Sequence, residues 1–332
     1  MNIADARRSL GGPLLLADEG VLFVNGKMIA SNYPTAPDKG EPPSGEYAVN
    51  QMYVHYRIPV KMEHKYPIVM VHGSGLTGVT YETTPDGREG WATYFTRMGF
   101  AVYVVDHPGR GRSGFDPAAI NQAKMGKFDL AKISGGIPRW TIEMMWPVFR
   151  FGPKYPEAYP DSQYPLEALA ALSAQGVPQT ELLLDGGAIG TTPPALAALL
   201  DEIGPAILLV HSQSGPFADR VVGMHPNLVK GVINIEGNQL TIPTDAEIAA
   251  YQTVPEIEVF GDHVIGSPVS TGQNRYDVRS AVVARINAAG GEAQILQLPE
   301  IGLHGNSHMM MQEKNNLQIA DYLIKWIKEK VE

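Results

Sequence analysis

The chain has 332 residues, 44% of them hydrophobic and 18% charged, with a net charge of -9 and no cysteine. That length and apolar content suit one large α/β core, while the negative balance opposes a nucleic-acid binder, which needs clustered Lys and Arg against phosphates. The missing cysteines exclude disulfides and thiolate metal sites without deciding the redox compartment, and no run of about 18 apolar residues offers a membrane span.

The start, MNIADARRSLGG (1–12), carries two arginines with no apolar run of signal-peptide length behind them. As it stands this reads as a cytoplasmic protein; a removed leader with a replacement methionine would look the same, and then the protein is periplasmic or secreted. Residues 21–30 (VLFVNGKMIA) read as a hairpin turning at Asn25-Gly26, where positive φ is tolerated. A Pro/Gly-rich stretch runs from Tyr33 to Gly45, and 47–59 (YAVNQMYVHYRIP) then alternates like a half-buried strand.

From there the pattern changes to short Val- and Ile-rich runs at 66–73, 100–106, 205–212, 231–237, 256–262 and 293–299. Such runs suit strands covered on both faces. Helical patterns at 90–98, 193–203, 215–224, 274–289 and 314–330 alternate with them, which predicts a mainly parallel, doubly wound sheet with its site at the carboxyl ends of the strands. The interval between Asp116 and Pro193 breaks this rhythm with prolines and aromatics, among them Trp140, Trp146, Phe149, Phe151 and Tyr164. A structureless loop of that length is unusual in a compact domain, so 117–190 reads as a mostly helical cap on a core formed by 1–116 and 191–332. A surface insertion with its own small core is the alternative. The aromatics either line an acyl or aryl pocket or simply pack together.

The strand PAILLV runs into His211-Ser212-Gln213-Ser214-Gly215, followed by a helix pattern. A serine on a tight strand-to-helix turn has its hydroxyl clear of the sheet, with the next N–H and the helix N-terminus favouring an oxyanion. Ser212 is therefore the candidate nucleophile, although G-x-S-x-G is met only loosely, by Val210 and Ser214. The rival readings are Ser214 as nucleophile and Ser212 as a mere helix cap. His72-Gly73-Ser74-Gly75 ends another strand, and the N–H groups of Ser74 and Gln213 are the candidate oxyanion hole. No G-x-x-x-x-G-K-[ST] phosphate loop occurs.

A general base is sought in LPEIGLHGNSHMMMQEKNN (298–316), between the last strand and the last helix. His308 is favoured over His304 because it stands nearer the helix start and is followed by Glu313. The H-x-x-x-H spacing does not read as a metal pair, since Gly305 and Asn306 oppose a continuous helix and no third ligand is apparent. Two carboxylates are placed to orient the imidazole: Glu236 after the strand GVINI, and Asp262 after EIEVFG. Position alone does not choose between them.

HSQSG, the Glu-Gly of VINIEG, FGDH and LHGNSHMMMQEKNN resemble the bacterial α/β-hydrolase esterases of the esterase 713 type. The similarity extends to GEYAVNQMYVHYRIP, VHGSGLTGVTYETTPDGREGW, GRGRSG and FRFGPKYP, and so covers most of the chain. The resemblance implies an α/β-hydrolase fold and carboxylic-ester hydrolysis, with Ser212 as nucleophile, His308 as base and Glu236 as acid. It also implies a homodimer, and acyl transfer from a small-molecule ester through these groups needs no cofactor or metal. It says least about 117–190 and 238–255, the segments expected to shape the pocket. Lactone, thioester or amide hydrolysis would use the same groups, and a non-catalytic ligand-binding protein on this fold is the reading from a different class.

Overall fold

The computed structural model describes residues 12–30, 45–132, 137–183, 186–238 and 241–332. The amino-terminal stretch read for a leader and nearly all of the Pro/Gly-rich stretch 33–45 lie outside the described residues. Among the described residues the ten strands are β1 (Leu16–Val24), β2 (Lys27–Ala30), β3 (Glu46–Val49), β4 (Met52–Pro59), β5 (Ile68–Val71), β6 (Val102–Asp106), β7 (Ala206–His211), β8 (Val229–Ile235), β9 (Glu256–Phe260) and β10 (Ala293–Gln297). Eight of them form one sheet in the order β1-β4-β6-β5-β7-β8-β9-β10. Every contact from β6 to β10 is parallel, whereas β1–β4 and β4–β6 are antiparallel.

The amino-terminal antiparallel hairpin is longer than the local pattern suggests. β1 pairs with β4 and β2 with β3, so one continuous arm, 16–30, runs against the arm 46–59. Asn25-Gly26 is not the end of this hairpin but a kink in one arm, opposed by Asn50-Gln51 in the other. Asn25 and Asn50 have φ of 59° and 60°, a left-handed conformation that asparagine tolerates better than most residues.

All six Val/Ile-rich runs are strands, and β5, β7 and β9 are buried at every position. Their side chains alternate between two cores, as the two-residue period of a strand requires. Ile68, Met70, Ile207 and Leu209 pack with Trp91, Phe95, Leu323 and Ile327 on one face. Val69, Val71, Leu208 and Val210 pack with Leu196, Leu200, Val221 and Ile286 on the other. Each such side chain contributes roughly 1.5–3 kcal/mol by leaving water. The covering helices are Trp91–Arg97, Gly187–Ile203, Gly215–Met224, Gln273–Ala288 and Asn316–Lys330. The second begins before the expected 193, because Gly187–Thr192 carries no apolar period of its own to mark it.

Within 117–190 the described residues form short helices, Ala118–Lys124, Ile142–Val148 and Leu169–Gln175, and add no strand to the sheet. The aromatics there divide. Trp146, Phe149, Phe151 and Tyr164 are buried in the core, and Phe149, together with partly buried Trp140, also lines a cavity at the strand ends.

Candidate active site

β7 ends at His211, and Ser212 opens a 3-10 turn (Ser212–Ser214) that leads into the helix Gly215–Met224. Its φ of 53° lies in the left-handed region, a strain of about 1–3 kcal/mol that persists only where surrounding packing enforces it. Two glycines supply that packing. A Cβ on Gly73 would sit 2.6 Å from His211 Nδ1 and 3.0 Å from the Ser212 Cβ, and one on Gly215 would sit 2.7 Å from the Gly237 Cα. The reversal therefore brings the loop after β5 and the loop after β8 against the serine. Ser214 is fully buried and committed: its hydroxyl donates to the His72 carbonyl at 2.5 Å and lies 3.0 Å from His107 Nε2. Ser212 does not cap the helix, whose N-cap is Ser214 without a side-chain capping bond.

Glu236 follows β8 directly, also with positive φ (47°), and is fully buried. Its Oε2 lies 2.5 Å from His308 Nδ1 and accepts from Arg150 Nη1 at 2.8 Å. Its Oε1 accepts from Arg150 Nη2 and from the Gly261 N–H, the latter at 2.9 Å. Burial alone would raise this carboxyl, but the Arg150 charge and the bond to His308 outweigh it and hold it well below the usual carboxylate range.

His308 is pinned through its main chain. Its N–H donates to the Phe149 carbonyl at 2.9 Å, and its carbonyl lies 3.0 Å from His211 Nε2. Burial drives the imidazole down to about 4, against the opposing pull of Glu236, so the ring is neutral at neutral pH. Glu313 shapes the same loop, accepting from the Ser307 N–H at 2.6 Å and from Asn306 Nδ2 at 2.5 Å. Its own carboxyl is pushed up to about 7 by burial.

Ser212 and His308 line one cavity of about 200 Å³, with Ser74, Leu76, Trp140 and Phe149 on its wall. Ser74 donates its hydroxyl to Gln179 Oε1 at 2.7 Å. Gln213 faces an adjoining cavity of about 390 Å³ that shares Ser74. The two loops are tied together by buried Arg110, which donates to the Gly73 carbonyl at 2.8 Å and to Gln213 Oε1 at 3.1 Å and pairs with Glu181.

Asp262 and His304 belong together elsewhere. The Asp262 carboxylate accepts from the Gly305 N–H and lies 4.0 Å from Nδ1 of exposed His304. Among the described residues no cluster of three or more His, Asp or Glu suits a metal ion, and no helix is long and apolar enough to cross a membrane.

Two site residues escape the sequence reading. Arg150, between Phe149 and Phe151, grips Glu236. Arg275 donates to Ser212 Oγ at 3.2 Å. The one available signal is the FRF triplet, an arginine flanked by aromatics; Arg275 lies in an ordinary helical pattern and gives none.

No protein-family model matches the chain. A solved structure described as a novel bacterial esterase superposes with a TM-score of 0.88 at 38% identity, covering 97% of this chain and 99% of that one. The chain belongs to the α/β-hydrolase esterases. This esterase is also 29% identical over 334 residues to a fungal "probable secreted lipase phiG", covering 86% of this chain and 88% of the relative. By family it is a carboxylic ester hydrolase, and its eight-stranded, mainly parallel sheet with the antiparallel N-terminal hairpin is the α/β-hydrolase fold.

Proposed function

We propose that this esterase cleaves carboxylic esters through an acyl-enzyme on Ser212, with His308 as base and Glu236 as the orienting acid. One observation carries the reading: a buried carboxylate 2.5 Å from His308 Nδ1, in a loop whose histidine shares a cavity with a strained serine at the end of β7. With Nδ1 engaged, Nε2 is the nitrogen left for the Ser212 hydroxyl. Glu236 fixes that tautomer and stabilises the imidazolium. Ser212 Oγ attacks the ester carbon while Nε2 takes its proton, and the N–H groups of Ser74 and Gln213 receive the oxyanion. The alcohol leaves with the proton from Nε2. Water then loses a proton to Nε2, attacks the acyl carbon and frees Ser212. Residues 117–190 act as the cap, and their Trp140 and Phe149 favour hydrophobic or aromatic esters.

The test is fluorophosphonate labelling followed across pH. The adduct is expected on the Ser212 peptide. Because a protonated imidazole cannot take the hydroxyl proton, the labelling rate should stay level above the His308 value and fall as pH drops through about 4. A label on another serine, with the fold intact by circular dichroism, rejects the assignment, whereas a rate already lost near pH 7 shows only that burial does not lower His308.

The resemblance further supports a homodimer; sedimentation equilibrium should give twice 36.0 kDa, and a monomer at micromolar concentration sinks that part. The name of the fungal relative favours an extracytoplasmic location, which fractionation of expressing cells decides.

A further inference from the structure

Arg275 stands in the first turn of the helix Gln273–Ala288, 5% exposed, on the wall of the Ser212 cavity. Its Nη1 donates to the Glu236 carbonyl at 2.8 Å and to Ser212 Oγ at 3.2 Å, and its Nε donates to the Ser270 carbonyl at 3.2 Å. Burying a guanidinium is costly. Burial lowers its pKa to about 10, against the opposing pull of Glu236, so the cation persists at neutral pH. Two backbone carbonyls clamp it, and a donor held this way needs no reorganisation when charge appears in front of it. Glu236 thereby serves two groups at once: its carboxylate orients His308, and its carbonyl orients Arg275.

We propose that Arg275 is a catalytic residue, a fixed cation that stabilises negative charge on Ser212 Oγ both as it attacks the ester and as it departs in deacylation. This rests on the reading of Ser212 as nucleophile. In acylation the Oγ–carbon bond forms as the hydroxyl proton passes to His308 Nε2, and the ester carbon–alkoxy bond then breaks with the alcohol taking that proton; in deacylation the water–carbon bond forms as a water proton passes to Nε2, the carbon–Oγ bond breaks, its electron pair returns to Oγ, and the proton from Nε2 follows. Oγ is uncharged in the resting hydroxyl and in the acyl ester. The contact is therefore stronger in the two transition states than in the states between them, which is the condition for raising kcat.

A second consequence concerns pH. His308 faces the Glu236 carboxylate, the Arg150 and Arg275 cations and the His211 ring. Burial lowers it most, Glu236 opposes this, and both cations lower it further. Removing the Arg275 charge lets His308 titrate higher.

The experiment compares Arg275→Gln and Arg275→Lys in the full chain, using p-nitrophenyl butyrate, with Ser212→Ala as control. Arg275→Gln should lose roughly 10- to 100-fold in kcat with KM little changed, and the acid limb of its kcat/KM profile should move to higher pH. Arg275→Lys keeps the charge, so its acid limb should stay at the wild-type position and its kcat loss should be less than about tenfold. The proposal is overturned by a folded Gln variant within about threefold of wild type with its limb unmoved. It is equally overturned by Gln and Lys variants alike in loss and in limb position, the mark of a packing role. Should the Gln variant not fold, a Lys variant that folds yet loses as much as Ser212→Ala overturns it, and one that keeps the limb and most of kcat supports it. An active Ser212→Ala would instead remove the nucleophile reading, whereas an inactive one beside a wild-type-like Arg275→Gln removes only the role of Arg275.

Discussion

Ser212→Ala should lower kcat toward a p-nitrophenyl ester by about 10⁴-fold or more, leaving only the residual rate that an oxyanion hole and a binding cavity provide without a nucleophile. The loss is expected to be chemical and not structural. The Ser212 side chain touches Arg275 at 3.2 Å, a long and weak bond, and its truncation should cost within about 1 kcal/mol of stability. The fold around the turn is held instead by buried neighbours: Ser214 on His72, and the glycines at 73 and 215. Thermal melts of variant and wild type should nearly coincide while turnover and fluorophosphonate labelling vanish together. Retention of more than about 1% of wild-type kcat would falsify the assignment of the nucleophile.

Glu236→Gln should cost about 10²- to 10⁴-fold in kcat, and Asp262→Asn less than about fivefold. The amide no longer stabilises the imidazolium and no longer dictates which nitrogen of His308 carries the proton. A second loss appears in stability. Arg150 is buried and holds both oxygens of Glu236, so neutralising the acid leaves a guanidinium without its counter-charge. Breaking a buried pair in this way typically costs roughly 3–5 kcal/mol, because the remaining charge stays out of water. Asp262, in contrast, accepts from the Gly305 N–H beside a surface histidine, and an asparagine oxygen can still accept that bond, for a cost of about 1 kcal/mol. Steady-state kinetics and denaturant melts of both variants separate the cases. The reverse ranking, with Asp262→Asn the crippled enzyme, would transfer the acid role to the end of β9.

Much of this molecule is legible locally. The Val/Ile-rich runs announce strands covered on both faces because burial leaves no polar alternation, and all six are present in the sheet. The serine at a strand-to-helix junction announces itself by order alone, β7, turn, helix. The His loop is legible too, since Gly305 and Asn306 forbid a helix through His308. The choice between Glu236 and Asp262 is not. Both follow neighbouring strands at the same edge, and which one meets the imidazole depends on the path of a loop some 70 residues downstream, fixed by Phe149, His211 and Glu313.

The Asn25-Gly26 turn shows the same division at smaller scale. Its backbone preference is met, yet pairing of β1 with β4 and of β2 with β3 makes it a kink within a hairpin and not the end of one. Arg150 and Arg275 are the extreme case, since a charged residue in a loop or on a helix signals solvent until other parts of the chain bury it. Sequence alone therefore announces the six Val/Ile-rich strands, the helices between them and the strand-to-turn-to-helix placement of Ser212, because each is written in a periodicity or in residues adjacent along the chain. Family resemblance names Glu236, but only the tertiary structure sets its carboxylate on His308 and buries both cations, because those contacts depend on which distant loops share the low-dielectric space at the sheet edge.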